Sequence, residues 1–353
     1  MKNRTKDACS KKGFAAMVTA LFMAICMCST GFAMDLGDIN LGKIDLSGCI
    51  EIEVGFEDNG VDDEDSSDIS LATAEVGLEA TPTDWLTGFV LFSWDDDEEE
   101  MIFDEAHITL GGSDSIPYYL QAGKLYLPFG VYETNMISDP LTLDLGETVD
   151  NAIQVGVDMG GVSAAAYIFN GDSDEVDEDD AIRCFGASLA YEYSSDTFSL
   201  AVGADWMNNL FESDGLIDVA EDHSGIVDYV DGYALHTLAC MGPVAFMAEY
   251  VAASDDISFA DKTEIDAPAA WALELGYTVE LAGKETTFAL GYQGSEDAVD
   301  ILPESKLLCS VGMGFNDYFS AAVEYATAED YDTSDGGSGE DVDTVTLQLA
   351  LEF

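Results

Sequence analysis

The sequence predicts an all-β fold, a transmembrane antiparallel up-and-down β-barrel of about 16 strands. Three observations support this prediction. Apolar and polar residues alternate along most of the chain, brief and long connections follow one another, and 71 acidic residues against 11 basic ones coexist with 48% hydrophobic residues. A disordered acidic protein has far fewer hydrophobic residues, and a nucleic-acid-binding protein needs a basic patch that this chain cannot assemble.

The first element is a secretory signal, which we predict over residues 1–33. An apolar run from Gly13 to about Met27 follows a basic start and ends in small residues, with Gly31 and Ala33 positioned for cleavage after Ala33. The run is shorter than the ~20 residues of a spanning helix, which disfavours an N-terminal membrane anchor. Cleavage leaves a single barrel domain over 34–353 with six basic and 70 acidic residues, a net charge near −64.

The strands are predicted from an alternation with a period of two. In the last segment Val345, Leu347 and Leu349 alternate with Thr346 and Gln348, giving one apolar and one polar face. A single strand of this kind also fits the edge of a soluble sandwich, so its recurrence decides the interpretation. The pattern predicts strands near 44–56, 69–81, 85–94, 101–111, 117–129, 152–159, 162–170, 181–194, 197–207, 229–241, 243–253, 268–281, 285–293, 306–315, 318–327 and 344–353.

The connections between these strands indicate a membrane barrel. Brief turns alternate with eight longer loops, which span 57–68, 95–100, 130–151, 171–180, 208–228, 254–267, 294–305 and 328–343. Short periplasmic turns, long extracellular loops and an even strand number with both chain ends on the short side are typical of outer-membrane barrels. Because lipid cannot satisfy backbone polar groups, such a sheet must close on itself with its apolar side chains outward. We therefore expect the protein in the outer membrane of a Gram-negative bacterium, in contact with outer-membrane lipid.

The acidic residues are concentrated in two places. About two thirds of those in the mature chain fall in the eight loops, and many others fall on the polar face of a strand, where a wet lumen tolerates charge. The pore-lining candidates on strands are Glu75, Glu105, Asp158, Asp205, Glu249, Glu274 and Glu324. Carboxylates around a pore favour cations, which predicts cation preference; the alternative is that the acidic residues only keep the external loops solvated.

The longest loop, 130–151, contains apolar residues among its acidic ones. This composition fits a loop folded into the barrel as a constriction, and equally a loop packed over the outer rim. In the first case the selectivity candidates are Glu133, Asp139, Asp144, Glu147 and the nearby Lys124. A barrel of 16 strands is wide enough for an aqueous channel.

Calcium binding and catalysis are the competing interpretations. Asp330, Asp332, Ser334 and Asp341 approach an EF-hand spacing, but Asp335 occupies the position where that loop requires glycine. The acidic clusters at 95–100 and 174–180 suggest a structural or calcium-binding surface barrel without transport as the alternative function. The three histidines, His107, His223 and His236, form no recognisable nucleophile and base group, so we expect no enzyme, no metal site and no cofactor.

One stretch also resembles a known family. Residues 118–157, with the segments AGKLYLPFG and SDPLTLDLGET and the following QVG strand, resemble the core of the LbtU-type siderophore porins. This resemblance implies an outer-membrane porin associated with uptake of a ferric siderophore, and it assigns no ligand-contact residue. The expected function is therefore a passive, cation-preferring channel for small hydrophilic solutes or cations, which the resemblance also associates with uptake of a ferric siderophore. A homo-oligomer is compatible with such a barrel.

Overall fold

The computed structural model describes residues 44–58, 65–95, 100–113, 115–173, 175–176, 181–220 and 225–353. The predicted signal segment 1–33 and His223 lie outside these residues. The acidic clusters predicted at 95–100 and 174–180 lie largely outside them as well.

Sixteen antiparallel strands close into one barrel, as the sequence predicts. Each strand pairs with the barrel strands before and after it in the chain, and β1 closes the sheet against β18. A separate two-stranded sheet of β12 and β13 lies in one connection. The strands are β1 (Ile44–Asp58), β2 (Ser66–Thr83), β3 (Leu86–Asp95), β4 (Glu100–Ser113), β5 (Ile116–Tyr126), β6 (Val149–Met159), β7 (Val162–Phe169), β8 (Cys184–Ser194), β9 (Phe198–Met207), β10 (Gly232–Met241), β11 (Val244–Ala253), β12 (Ile257–Ser258), β13 (Glu264–Ile265), β14 (Ala269–Leu281), β15 (Lys284–Glu296), β16 (Ser305–Asn316), β17 (Phe319–Glu329) and β18 (Asp341–Glu352).

The side chains of the strands alternate between an apolar outer face and a polar inner face. On β14, Leu273, Leu275 and Tyr277 are exposed, whereas Glu274 and Gly276 between them are buried. The exposed outer surface of the barrel is thus apolar, which is the arrangement that a lipid-facing sheet requires. Within the described part of the chain, no helix is long and apolar enough to cross a membrane.

The brief turns gather at one end of the barrel. Between β6 and β7 the turn consists of Gly160 and Gly161, with φ of 66° and 83°. Two successive left-handed residues form the tight turn that matches the twist of the flanking strands, and glycine adopts this conformation without steric cost. The end of β18 lies at the same end of the barrel, where the Phe353 N–H donates to the Gly48 carbonyl at 3.0 Å.

Three predicted loops contain secondary structure that the sequence pattern did not indicate. The connections hold α1 (Leu141–Gly146), a 3₁₀ helix (Leu210–Glu212), α2 (Asp214–Ala220) and the β12–β13 hairpin. Their buried side chains pack together in one hydrophobic cluster, which includes Phe129, Leu145, Leu210, Leu216, Ile226 and Ile257. Each loop contributes only a few of these side chains, so no single loop has a detectable periodicity.

The prediction of β5 over 117–129 was wrong at its end, because the strand stops at Tyr126 and β6 begins at Val149, before the predicted 152. The Leu127 N–H still donates to the Thr148 carbonyl at 2.9 Å. Pro128 then lacks an N–H for the ladder, and Gly130 has a φ of 78°. The chain therefore leaves the sheet here, and we call residues 127–148 the inner loop.

Candidate channel constriction

The inner loop lies inside the barrel, against the wall opposite its own strands. It joins β5 to β6, yet its backbone and side chains bond to inward-facing residues of β9, β11, β14, β15, β16 and β17. Four of these residues are pore-lining candidates from the sequence, and each accepts hydrogen bonds from the loop: Asp205, Glu249, Glu274 and Glu324.

The first contacts hold the start of the loop. The Gly130 N–H donates to Asp205 Oδ2 at 3.0 Å on β9. On β11, Glu249 Oε1 accepts the Val131 N–H at 2.6 Å, and its Oε2 accepts the Tyr132 N–H at 3.0 Å. A carboxylate that accepts N–H groups in this way satisfies backbone donors that no β-ladder satisfies.

Glu274 on β14 holds the middle of the loop. Its Oε2 accepts the Thr134 hydroxyl at 2.6 Å, and its Oε1 accepts the Asn135 N–H at 3.0 Å and the Asn135 side-chain amide at 2.6 Å. The Asn135 carbonyl in turn accepts the Ser310 hydroxyl at 2.8 Å from β16. Glu274 and Ser310 lie near the middle of β14 and β16, so these hydrogen bonds place the loop well inside the lumen.

Glu324 on β17 holds the far end of the loop. It accepts the Ile137 N–H and the Ser138 hydroxyl, each at 2.6 Å. All four wall carboxylates are nearly buried, with exposed fractions of 5% for Asp205, 9% for Glu249, 7% for Glu274 and 3% for Glu324. They therefore lie beneath the inner loop and hold it, and none of them lines the larger cavity, which lies between the inner loop and strands β1 to β5.

An open space in the lumen lies between the inner loop and strands β1 to β5, and Ser188, Ala190 and His236 of β8 and β10 also line it. It forms a cavity of about 410 Å³, which we call the acidic cavity. Five carboxyl groups line it: Glu75 on β2, Asp104 and Glu105 on β4, and Glu133 and Glu147 on the inner loop. Sequence reasoning missed Asp104, because a bulge in the β3–β4 pairing places Asp104 at the irregularity, where alternation no longer assigns a face.

The two loop carboxyl groups of the acidic cavity titrate near neutral pH. Burial raises the pKa of Glu133 to about 7, with Glu274 and Glu249 adding to the shift. Burial also raises the pKa of Glu147 to about 8, and Asp214 is the strongest of the acidic neighbours that add to it. The negative charge of the constriction therefore increases as the pH rises through this range.

The remaining loop candidates lie elsewhere on the loop surface. Asp139 and Asp144 are exposed at the surface of the loop within the lumen. The surrounding protein partly removes water from the Asp144 carboxyl group and raises its pKa to about 6, Asp139 adds to the shift, and Lys306 opposes it. Lys306 on β16 is a lumenal cation that sequence reasoning missed; its Nζ donates to the Ser138 hydroxyl at 3.1 Å. Lys306 lies on the inner face of β16, because it shares the alternation of Leu308 and Ser310, which are buried on that face.

Two of the residues predicted from the sequence, Lys124 and Asp158, neither hold the inner loop nor line the acidic cavity. Lys124, near the end of β5, donates from Nζ to the Phe103 carbonyl at 3.0 Å. Asp158 lies at the end of β6 that is far from the inner loop, next to the short turn between β6 and β7, and it does not line the acidic cavity.

Two histidines lie next to wall carboxylates. His107 Nε2 lies 3.6 Å from Glu105 Oε2, and His236 Nδ1 lies 3.4 Å from Asp205 Oδ2. The sequence did not predict the pair of His236 and Asp205, because their proximity depends on the register of β9 against β10.

In the described ranges, no three histidine, cysteine or carboxylate groups are arranged to hold a metal ion. Asp330, from the spacing that approaches an EF-hand, accepts the N–H and hydroxyl of Ser338 at 2.7 and 2.6 Å.

A closed barrel of 16 strands, narrowed by a loop folded into its lumen, defines the architecture of an outer-membrane porin. Solved structures with this fold include an anion-selective porin from Comamonas acidovorans, with a TM-score of 0.62 and 12% identity over 88% of this chain and 99% of the porin. The outer membrane channel DcaP of Acinetobacter baumannii has a TM-score of 0.58 and 16% identity over 88% and 97%. Salmonella typhi OmpF has a TM-score of 0.58 and 13% identity over 89% and 99%.

The sequence is similar to UPF0422 proteins. A UPF0422 protein of Coxiella burnetii is 27% identical over 256 residues, which cover 68% of this chain and 55% of the relative. A UPF0422 protein of Legionella pneumophila strain Paris is 22% identical over 368 residues, covering 89% and 67%. This chain thus spans about half the length of the Coxiella relative, and no family model matches it.

Proposed function

We propose that the protein is an outer-membrane porin that conducts small hydrophilic solutes passively and prefers cations. The acidic cavity carries the proposal, because five carboxyl groups line the space left open where the inner loop narrows the barrel. Fixed negative charge in a narrow lumen concentrates cations and repels anions. The location is supported by the porin fold and by relatives from the Gram-negative genera Coxiella and Legionella.

The resemblance of residues 118–157 to siderophore porins adds a ferric siderophore to the solutes to be tested. That stretch includes the whole inner loop, so the resemblance falls on the constriction. The cavity carboxylates oppose an anionic siderophore, which makes its passage a stringent test of this finer proposal.

The test is the reversal potential of refolded protein in planar bilayers under a KCl gradient. We expect the sign of the reversal potential to show that the channel prefers K⁺ over Cl⁻. At pH 9, where Glu133 and Glu147 are ionised, the double variant Glu133→Gln/Glu147→Gln should lower the cation-to-anion permeability ratio by roughly twofold or more, since two of the five lining carboxyl groups lose their charge. Glu264→Gln, a change at an exposed carboxylate of β13, is the matched control.

Anion preference of the wild-type channel would overturn the cation proposal. Folded protein without single-channel steps would overturn the porin proposal and favour a structural surface barrel. Liposome uptake of a ferric siderophore, compared with empty liposomes, tests the siderophore proposal separately.

A further inference from the structure

The acidic cavity has two kinds of wall. Its carboxyl groups border apolar and aromatic side chains, among them Phe89, Leu91, Phe129, Val131 and Leu143. A hydrated inorganic cation gains little from an apolar wall, since it keeps its water shell. An organic cation can bury an apolar body there and interact with aromatic faces.

Carboxylate oxygens on the cavity wall lack partners. Glu105 is 2% exposed, yet its Oε2 accepts no hydrogen bond from any residue that the structure describes, and the same is true of Glu75 Oε2. His107 Nε2 lies 3.6 Å from Glu105 Oε2, beyond hydrogen-bond distance. A buried carboxylate oxygen without a donor is costly, and a ligand ammonium or guanidinium group would supply that donor.

The contrast with the other wall carboxylates is informative. Glu249, Glu274 and Glu324 each accept several hydrogen bonds from the inner loop. Among the residues that the structure describes, Asp205 Oδ1 also has no donor, but Asp205 does not line the acidic cavity, whereas the unpaired oxygens of Glu75 and Glu105 belong to residues that line it. The cavity volume of about 410 Å³ falls in the range of small-molecule sites.

We infer that the acidic cavity is a binding subsite for organic cations, in which Glu75 and Glu105 bind an ammonium or guanidinium group and the neighbouring apolar wall binds an apolar or aromatic body. This inference rests on the proposed porin function, and it names the solute class that the channel would retain during passage.

The test is block of the single-channel K⁺ current by three probes: phenethylammonium, methylammonium and neutral phenethyl alcohol. We expect phenethylammonium to halve the current at a roughly tenfold lower concentration than methylammonium, since it adds aromatic contact to the same charge. Phenethyl alcohol should block weakly, because it lacks the cation that the carboxylates bind.

The variants separate the two walls. Glu75→Gln/Glu105→Gln should raise the half-block concentration of phenethylammonium by roughly tenfold, and Leu91→Asn should reduce its advantage over methylammonium. Glu280→Gln, a change at an exposed carboxylate near the end of β14 and outside the acidic cavity, should leave the block unchanged. Because Glu105 is buried, Glu75→Gln alone replaces the double variant if the latter does not fold.

A cation-preferring channel that both ammonium ions block equally, or whose block is unchanged in the glutamate variants, would overturn this inference and leave the porin proposal intact. Absence of channels or anion preference would overturn the porin proposal and the subsite together.

Discussion

The carboxylate of Glu249 on the barrel wall accepts the backbone N–H of Val131 in the inner loop at 2.6 Å. This bond joins residues 118 positions apart and belongs to a series that continues through Glu274 to Glu324. The acidic residues of the lumen therefore divide into two groups. One group holds the constriction loop, and the other faces the space that the loop leaves open.

Removing the Glu249 carboxylate should release the start of the inner loop. Glu249→Ala deletes an acceptor of two backbone N–H groups and of the Thr142 hydroxyl at 2.9 Å. Charge-assisted bonds of this kind contribute roughly 1.5 to 3 kcal/mol each before relaxation. We expect larger current noise and higher conductance in single-channel recordings, with Glu264→Ala unchanged. A variant with the wild-type current trace would contradict the holding role.

Cation preference should depend on pH. The pKa values of about 7 for Glu133 and about 8 for Glu147 lie above the ordinary value, so both groups are largely neutral at pH 5.5 and ionised at pH 9. The permeability ratio for K⁺ over Cl⁻ should therefore rise across this interval. The slope should be shallower in Glu133→Gln/Glu147→Gln. A ratio that falls with rising pH would refute the assignment of these groups to the constriction.

Lys306 should reduce the cation preference of the wild-type channel. Its ammonium group lies at the Ser138 hydroxyl and counteracts the raised pKa values of Asp139 and Asp144. Lys306→Met removes this positive charge from the lumen, so the reversal potential should move further toward that of K⁺. Lys284→Met, at the start of β15 where Nζ donates to the Phe315 carbonyl, is the control. A shift toward Cl⁻ would exclude the role.

Gly123 should be essential for barrel assembly. It has a φ of 142°, and a Cβ atom there would lie 2.2 Å from the Ala106 carbonyl oxygen of β4. Gly123→Ala should therefore destabilise the barrel by roughly 2 kcal/mol or more, lowering the temperature of the unfolding shift seen in gel electrophoresis. Gly88→Ala is a matched change in β3 with nothing within 4 Å of the new atom. Equal unfolding temperatures for the two variants would contradict the prediction.

Much of the barrel was predictable because its signals are local. Alternation within β14 places Glu274 on the inner face and Leu273 on the outer face, and no knowledge of other strands is needed. The short pieces inside the loops were not predictable, since α1 and the 3₁₀ helix depend on apolar contacts with distant loops.

The chain alone therefore determined the fold class, the strand number and the inward face of the acidic residues, because a period of two is a property of each strand. It did not separate Glu75 from Glu249, which follow an alanine and precede an apolar residue in the same way. Only the tertiary structure decided that Glu249 lies under the inner loop while Glu75 faces the acidic cavity. The physical reason is that a loop joining β5 to β6 finds its hydrogen-bond partners across the lumen, on strands far away in sequence.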